Sequence, residues 1–467
     1  MNDLASSTHE TPAERHAARR AALACMVTLA VVLGIGRFAF TPLLPLMLHG
    51  STFGQPQIDI QHGGWLASFN YAGYFVGAVT CAALRVEPAR MVRVGLVATV
   101  LLTLAMGVTS QFWVWAVVRF VAGAVSAWTF VFASQWGLRR LAELGAHGWS
   151  GVIYTGPGVG IVGTGLLVSA AGGYGATVGW IGFGLIAAVL SIMVWSVFGT
   201  VTDSTSGGAA RAAGGSTTGA QTSQRSAGQY SAGQRTSEQH NAGQYSANQR
   251  PASQSSPASH LSPTTQRSPT SRPQHRADAF WLILLYGVPG FGYIITATFL
   301  PVIARHALPD SSWPDLFWPM FGAALIVGAL LAARLPVHWD NRTLLAGCYV
   351  LEAVGIALGI VWPTAGGFSF GSILIGLPFT AITLFAMREA RRLRGDKAAG
   401  LMGYATAAYG VGQIVGPLVA APIAEHTGSF SPALWLAAGA LLLGAAGLVI
   451  VARMPRRHGR MPDCGCS

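Results

Sequence analysis

About twelve runs of roughly twenty residues, each nearly free of charge, leave this chain one solvent in which to fold, a lipid bilayer. A run of that length crosses the hydrocarbon core as a helix, because inside lipid every backbone N–H and C=O must be satisfied within its own segment. The runs lie near residues 21–47, 63–84, 95–108, 112–133, 151–171 and 176–199, then 279–303, 316–333, 343–362, 369–387, 400–423 and 433–452. Only 10% of the residues are charged, against about a quarter in soluble domains. Glycine (59) and proline (24) are plentiful, as packed membrane helices tolerate. The expected fold class is therefore all-α integral membrane, with about twelve transmembrane helices.

The formal charge of +12 invites a nucleic-acid reading until the 29 Lys and Arg are placed on this map. Arg37 and Arg119 fall inside spans, and Arg305 follows the seventh; the other 26 (29 − 3) sit in the tails and in every second loop. Arg85, Arg90 and Arg93 share one such loop, and Arg388, Arg391, Arg392, Arg394 and Lys397 another, while loops 48–62, 172–175 and 425–428 hold none. That alternation is the positive-inside rule with both termini cytoplasmic, so the basic charge encodes topology and not a nucleic-acid surface. The expected location is a bacterial inner membrane, crossed many times. The first apolar stretch is too long for a cleaved signal peptide and contains Arg37. Cys25, Cys81 and Cys348 lie in spans, where packing is the default role, and Cys464 and Cys466 end a basic tail.

Between Val201 and His275 the composition turns to Ser, Gly, Gln, Thr and Ala, too polar to offset the entropy of ordering. The expected organisation is a tail (1–20), a six-helix bundle (21–200), a disordered cytoplasmic linker (201–277), a second bundle (278–454) and a tail (455–467). The two halves echo each other. Gly34-Ile-Gly36-Arg37 leads to Leu44-Pro45 in span one, and Gly290-Phe-Gly292-Tyr293 leads to Leu300-Pro301 in span seven, at one constant offset. Gly158-Val-Gly160 in span five is matched by Gly410-Val-Gly412 in span eleven. Six helices duplicated in one orientation give pseudo-symmetric bundles about an axis along the membrane normal.

With those motifs the chain resembles the major facilitator superfamily (MFS). Arg119-Phe-Val-Ala-Gly123 is similar to the superfamily's Arg-x-x-x-Gly signature on the fourth helix, and Gly156-Pro157 to the Gly-Pro motif of exporters. The loop from Leu84 to Arg93 keeps only the basic character of the superfamily's Asp-Arg-x-Gly-Arg-Arg signature. Three stretches resemble the YbfB/YjiJ-type branch: 34–47, Gly63-Gly-Trp65 through Tyr74, and Tyr409-Gly-Val-Gly-Gln413-Ile-Val-Gly-Pro417. The resemblance implies the general-transporter fold of two six-helix bundles and a secondary active transporter working by rocker-switch alternating access. It also implies proton coupling by superfamily habit, and a central cavity lined by spans one, four, seven and ten.

A charge at the bilayer centre costs at least about 2.5–3.5 kcal/mol, so Arg37 and Arg119 need a reason to be there. Arg37 reads either as a ligand for a substrate anion or as a cap on carbonyls freed by Pro42 and Pro45. Arg119 matches a motif associated with conformational coupling. Two arginines with no carboxylate on spans one or four point to a small organic anion. Tyr293, the repeat counterpart of Arg37, joins Thr296, Thr380 and Thr383 as cavity candidates, with Asn70, Tyr71, Tyr74 and Gln413 from spans two and eleven; helix–helix glue is the alternative for each. Glu352, the one acid deep inside a span, is the candidate proton carrier, against a protonated packing residue. Gly156, Gly160, Gly163, Gly412 and Gly416 permit close helix approach, and Pro157 and Pro417 permit bending. With Arg119 and Gly123, the residues Gly156, Pro157, Gly416 and Pro417 form the coupling and gating set.

Other classes fit less well. The sole lysine, in Gly-Asp-Lys397-Ala, makes no phosphate-binding loop, so ATP drive is excluded. No metal pair or nucleophile–base set lies at membrane depth, so no enzyme, cofactor or metal is expected. An exporter of drugs or metabolites remains the alternative within transport, and a transporter-like sensor the alternative outside it. The expected partners are a small-molecule substrate, the lipid bilayer and protons, for a monomer.

Overall fold

The computed structural model describes residues 12–49, 58–171, 174–199, 272–336, 338–395 and 398–453. The expected linker lies outside these residues up to 271, but its last six positions, 272–277, are the first residues of the helix Arg272–Ala307; Cys464, Cys466 and Lys397 also lie outside. The described residues are all-helical, without strands, and eleven helices are long and apolar enough to cross a membrane. The twelfth, Ile60–Thr80, is 21 residues long but too polar for that threshold, since Gln61, His62, Asn70, Tyr71 and Tyr74 interrupt its apolar sequence.

Span one comprises Pro12–Leu29, a π-helical turn Ala30–Ile35 and Phe40–His49. Span two is Ile60–Thr80, three Pro88–Val108, four Phe112–Glu143, five Ser150–Ile153 with Gly156–Ala170, and six Ala176–Trp195. Spans seven to twelve are Arg272–Ala307, Pro314–Arg334, Asn341–Val361, Ala365–Gly376 with Phe379–Arg394, Ala398–Thr427 and Ser431–Arg453. Several helices outrun their apolar runs. Span four extends ten residues past Ala133, and span one begins at Pro12, because a helix entering water keeps its backbone ladder while its side chains turn polar. Ends are set locally: the Asp59 carboxylate caps span two by accepting from the His62 N–H at 2.8 Å, and positive-φ glycines Gly145, Gly395 and Gly428 close spans four, ten and eleven.

Glycine decides how the helices cross. A Cβ on Gly34 would stand 2.4 Å from the Cα of Gly160, so spans one and five touch backbone to backbone. The repeat counterparts do the same in the other half: a Cβ on Gly290 would meet the Tyr409 carbonyl at 2.3 Å, and one on Gly412 would meet the Gly287 carbonyl at 2.5 Å, joining spans seven and eleven. The residues duplicated in the sequence thus make duplicated crossings. Between the halves, Gly158 of span five lies against the Gly322 carbonyl of span eight.

Two faces follow from the order of the spans. Arg85, Arg90, Arg139, Arg140, Arg334, Arg342 and the Arg388–Arg394 cluster gather at one end, here called the basic face. Arg305, the arginine out of pattern, lies toward the opposite face and is neutralised there by Asp315, 2.6 Å away. At the basic end of the second half, buried Arg342 joins four spans. It donates to Glu389 (2.8 Å) on span ten and to the Val451 carbonyl (2.7 Å) on span twelve, and pairs with Asp278 (3.4 Å) on span seven.

Candidate functional site

The site begins with a missing hydrogen-bond donor. Pro42 has no N–H, so the Phe38 carbonyl loses its helical partner. The Thr41 N–H turns to that carbonyl (3.2 Å), which strips the Arg37 carbonyl in turn, and residues 36–39 leave the helix. Arg119 of span four takes up the freed groups, donating to the Gly36 and Arg37 carbonyls at 3.3 and 3.2 Å with its guanidinium over the Phe40 ring. Of the two roles open to Arg37 in the sequence, capping of freed carbonyls therefore falls to Arg119. Freed carbonyls recur elsewhere. Pro301 orphans the Ala297 carbonyl, which accepts from the Thr41 hydroxyl at 2.8 Å, and Pro289 orphans that of Leu285, which accepts from the Tyr349 hydroxyl at 2.8 Å.

Arg37 points between the halves. It is 5% exposed, and its Nη2 donates to the Gln413 carbonyl oxygen of span eleven at 3.0 Å. The Gln413 amide donates onward to the Tyr293 hydroxyl, so the two repeat-equivalent positions meet through one glutamine. Aromatic rings complete the surroundings: Tyr74 lies 4.1 Å from the guanidinium, Tyr71 5.1 Å and Phe38 5.3 Å. Such contacts contribute on the order of 0.5–2 kcal/mol each. Among the described residues no acidic side chain pairs with Arg37 or Arg119, and the Nε of each is buried without a partner. This is a cation sheltered by neutral groups.

The remaining candidates divide. Tyr71 bonds across the halves to the Thr298 hydroxyl (3.0 Å), and Asn70 donates to the Arg119 carbonyl (2.8 Å), fixing span two to span four. Thr296 turns away from Arg37: its partnerless hydroxyl lines a small void shared with Gly355, Ser372 and other residues inside the second half. Thr298, two residues on, makes the inter-half bond, and nothing in its residue type distinguished the two threonines. Thr380 is half-buried beside Phe379, whose ring meets Tyr293 edge-on at 5.0 Å. Thr383 accepts from Tyr286 at 3.1 Å. Gly123 lies where a Cβ would reach the Asn70 carbonyl at 2.0 Å, and Gly156 where one would reach the Met26 carbonyl at 2.4 Å. Gly416 abuts Ile294, and a Cβ on Gly64 of span two would stand 3.0 Å from the Pro417 carbonyl. Pro157 opens the longer part of span five, after the break at Tyr154–Thr155. Glu352 is fully buried, with neither carboxyl oxygen bonded.

Hydrogen bonds tie the halves together around Arg37. Five side-chain hydrogen bonds cross from half to half among the described residues: Arg37–Gln413, Thr41–Ala297, Tyr71–Thr298, Ser68–Ile414 and Gln61–Glu425. All lie at the level of Arg37 or nearer the opposite face. Beyond them, toward that face, is a cavity of about 690 Å³ lined by His49, Asp59, Arg305 and His306 among others. On the basic side of Arg37 the halves touch through apolar groups, a Cβ on Gly410 of span eleven standing 2.9 Å from the Phe75 ring of span two, and Tyr74 and Tyr409, both interior by their contacts with Arg37 and Tyr293, remain partly exposed.

Comparison with known proteins agrees with this architecture. Among solved structures, a mutant of the nucleoside transporter NupG matches with a TM-score of 0.62 at 11% identity, covering 92% of this chain and 99% of that one; at this identity the likeness shows the fold alone. No curated protein is significantly similar. A family model described as "Uncharacterised MFS-type transporter YbfB" matches residues 29–230 and 252–450, most of the chain. With its apolar helices, paired glycine crossings and matched family pattern, this multi-pass membrane protein belongs to the YbfB-type family of MFS transporters.

Proposed function

We propose that the chain is a secondary active transporter that carries a small organic anion across the bacterial inner membrane by rocker-switch alternating access, with both termini cytoplasmic. The observation that carries this reading is the position of Arg37. It is a buried cation at the junction of the halves, held by one amide carbonyl and by aromatic faces, with no carboxylate beside it. An incoming carboxylate displaces the Gln413 carbonyl oxygen and replaces a charge–dipole hydrogen bond with one between two full charges, which is stronger. Releasing Gln413 frees span eleven from span one, so substrate binding and loosening of this junction are one event. The hydrogen bonds that join the halves at the level of Arg37 and beyond support a carrier whose halves part and close alternately.

Proton coupling is assigned to Glu352, whose unpartnered oxygens suit a carboxyl that carries a proton within the second half. Its seat on span nine, away from Arg37, makes any coupling conformational and not direct. The carrier acts as a monomer, with bilayer, substrate and proton as its partners.

The test is uptake of a panel of radiolabelled monocarboxylates into proteoliposomes. Arg37→Gln removes the charge but keeps a hydrogen-bonding side chain, and uptake efficiency should fall on the order of 100-fold. Uptake of every acid unchanged in Arg37→Gln would refute the role. For Glu352→Gln, loss of pH-driven uptake with exchange retained supports the proton role, and unaltered pH-driven uptake ends it.

A further inference from the structure

The surroundings of Arg37 narrow the class of anion, if the arginine is the anion site proposed above. Within this buried group three rings remain partly exposed: Tyr74 of span two, Phe379 of span ten and Tyr409 of span eleven. Each belongs to the site. Tyr74 lies 4.1 Å from the Arg37 guanidinium, Phe379 meets Tyr293 edge-on at 5.0 Å, and Tyr409 is stacked on Tyr293 at 5.9 Å and 21°. Behind Tyr409 stands Tyr286, stacked at 5.0 Å and 24°. Spans seven and eleven thus carry three near-parallel rings that run from Tyr293, at the level of Arg37, toward the basic face.

Around Arg37 and toward the basic face stand aromatic rings from both halves, Tyr74 from the first and Phe379 and Tyr409 from the second. The hydroxyls of Thr380 and Thr383 lie nearby on span ten, and no charge other than the arginines is present in the group. Aromatic surfaces favour flat rings, by offset stacking and edge-to-face contact, over saturated bodies of equal area. An aliphatic acid would gain the arginine but leave this preference unused. We propose that the cleft takes a planar aromatic monocarboxylate, its carboxylate on Arg37 and its ring among Tyr74, Phe379 and Tyr409. The ring would touch both halves at once, so the same contact that selects the solute would draw the halves together around it.

Equilibrium binding of radiolabelled benzoate and cyclohexanecarboxylate to the purified full-length protein tests this, because the two acids share charge and bulk and differ in planarity and π-electrons. Benzoate should bind roughly fivefold tighter or more. Phe379→Leu and Tyr74→Leu should each bring the ratio of the two affinities close to one. Equal affinities in the wild-type protein, both lost in Arg37→Gln, would overturn the aromatic inference and leave the organic-anion reading standing. Tighter binding of the saturated acid would overturn it equally. Binding of neither acid would sink both. The wild-type comparison needs no variant to fold.

Discussion

Segments 34–45 and 290–301 share their glycines and their final proline, yet only the first is broken in the membrane. The counterpart of Pro42, 256 residues on, is Thr298, and 256 is the offset that separates Gly34 from Gly290. Proline withholds a donor, so span one unwinds over residues 36–39 and its carbonyls draw in Arg119. Threonine keeps the donor, so span seven stays helical through Tyr293 and spends its hydroxyl on Tyr71 of the other half. The duplication supplies two similar helices. One substitution leaves one of them broken and capped by Arg119 and the other an unbroken helix through Tyr293.

The largest expected effect tests whether the halves share their crossings. Gly34→Leu and Gly290→Leu each drive a side chain into backbone, of Gly160 and Tyr409 respectively, and each should abolish monodisperse protein on size-exclusion chromatography. Gly163→Ala, with nothing within 4 Å of the added carbon, should leave the profile intact. A well-behaved Gly290→Leu beside a lost Gly34→Leu would break the symmetry. Next comes the proline itself. Pro42→Ala restores the missing N–H, and span one should come to resemble span seven and withdraw the Arg37 carbonyl from Arg119. Transport should fall about 30-fold, or about 2 kcal/mol, with thermal stability unchanged or raised. Transport at the wild-type rate would show that the break is incidental.

Arg119→Lys sharpens the same point. An ammonium lacks the planar fork that spans two adjacent carbonyls, and transport should drop roughly tenfold while the charge is kept. Full activity in the lysine variant would reduce Arg119 to a charge. The smallest effect belongs to Thr41→Val, which deletes the bond to the carbonyl that Pro301 frees. At about 0.6 kcal/mol the balance between open and sealed forms should shift less than threefold, read as accessibility of a cysteine placed by Thr383→Cys. A larger shift would make this bond a principal latch.

Much of the fold was legible because lipid permits so few solutions. Apolar length, the placement of arginines and the paired glycines required no knowledge of which side chains meet. The site was legible as a set of residue types and not as a set of bonds. Arg37, Arg119, Tyr71, Tyr293 and Gln413 stood out because polar groups at membrane depth are costly. Span two, the least apolar, is legible as an apolar run over 63–84, and its polar residues Asn70 and Tyr71 face Arg119 and the other half.

The sequence by itself determined that this protein spans a membrane many times, that its halves repeat, and where the helix ladder must lose donors. Those properties depend on single residues and on the solvent around them. Which freed carbonyl each donor reaches was decided only by tertiary structure. Arg119 and not Arg37 caps the break, Thr298 and not Thr296 joins the halves, and Gln413 links Arg37 to Tyr293. The physical reason is that a hydrogen bond needs its acceptor within about 3 Å, and the rotation of one helix against another, which sets that distance, comes from the packing of all twelve.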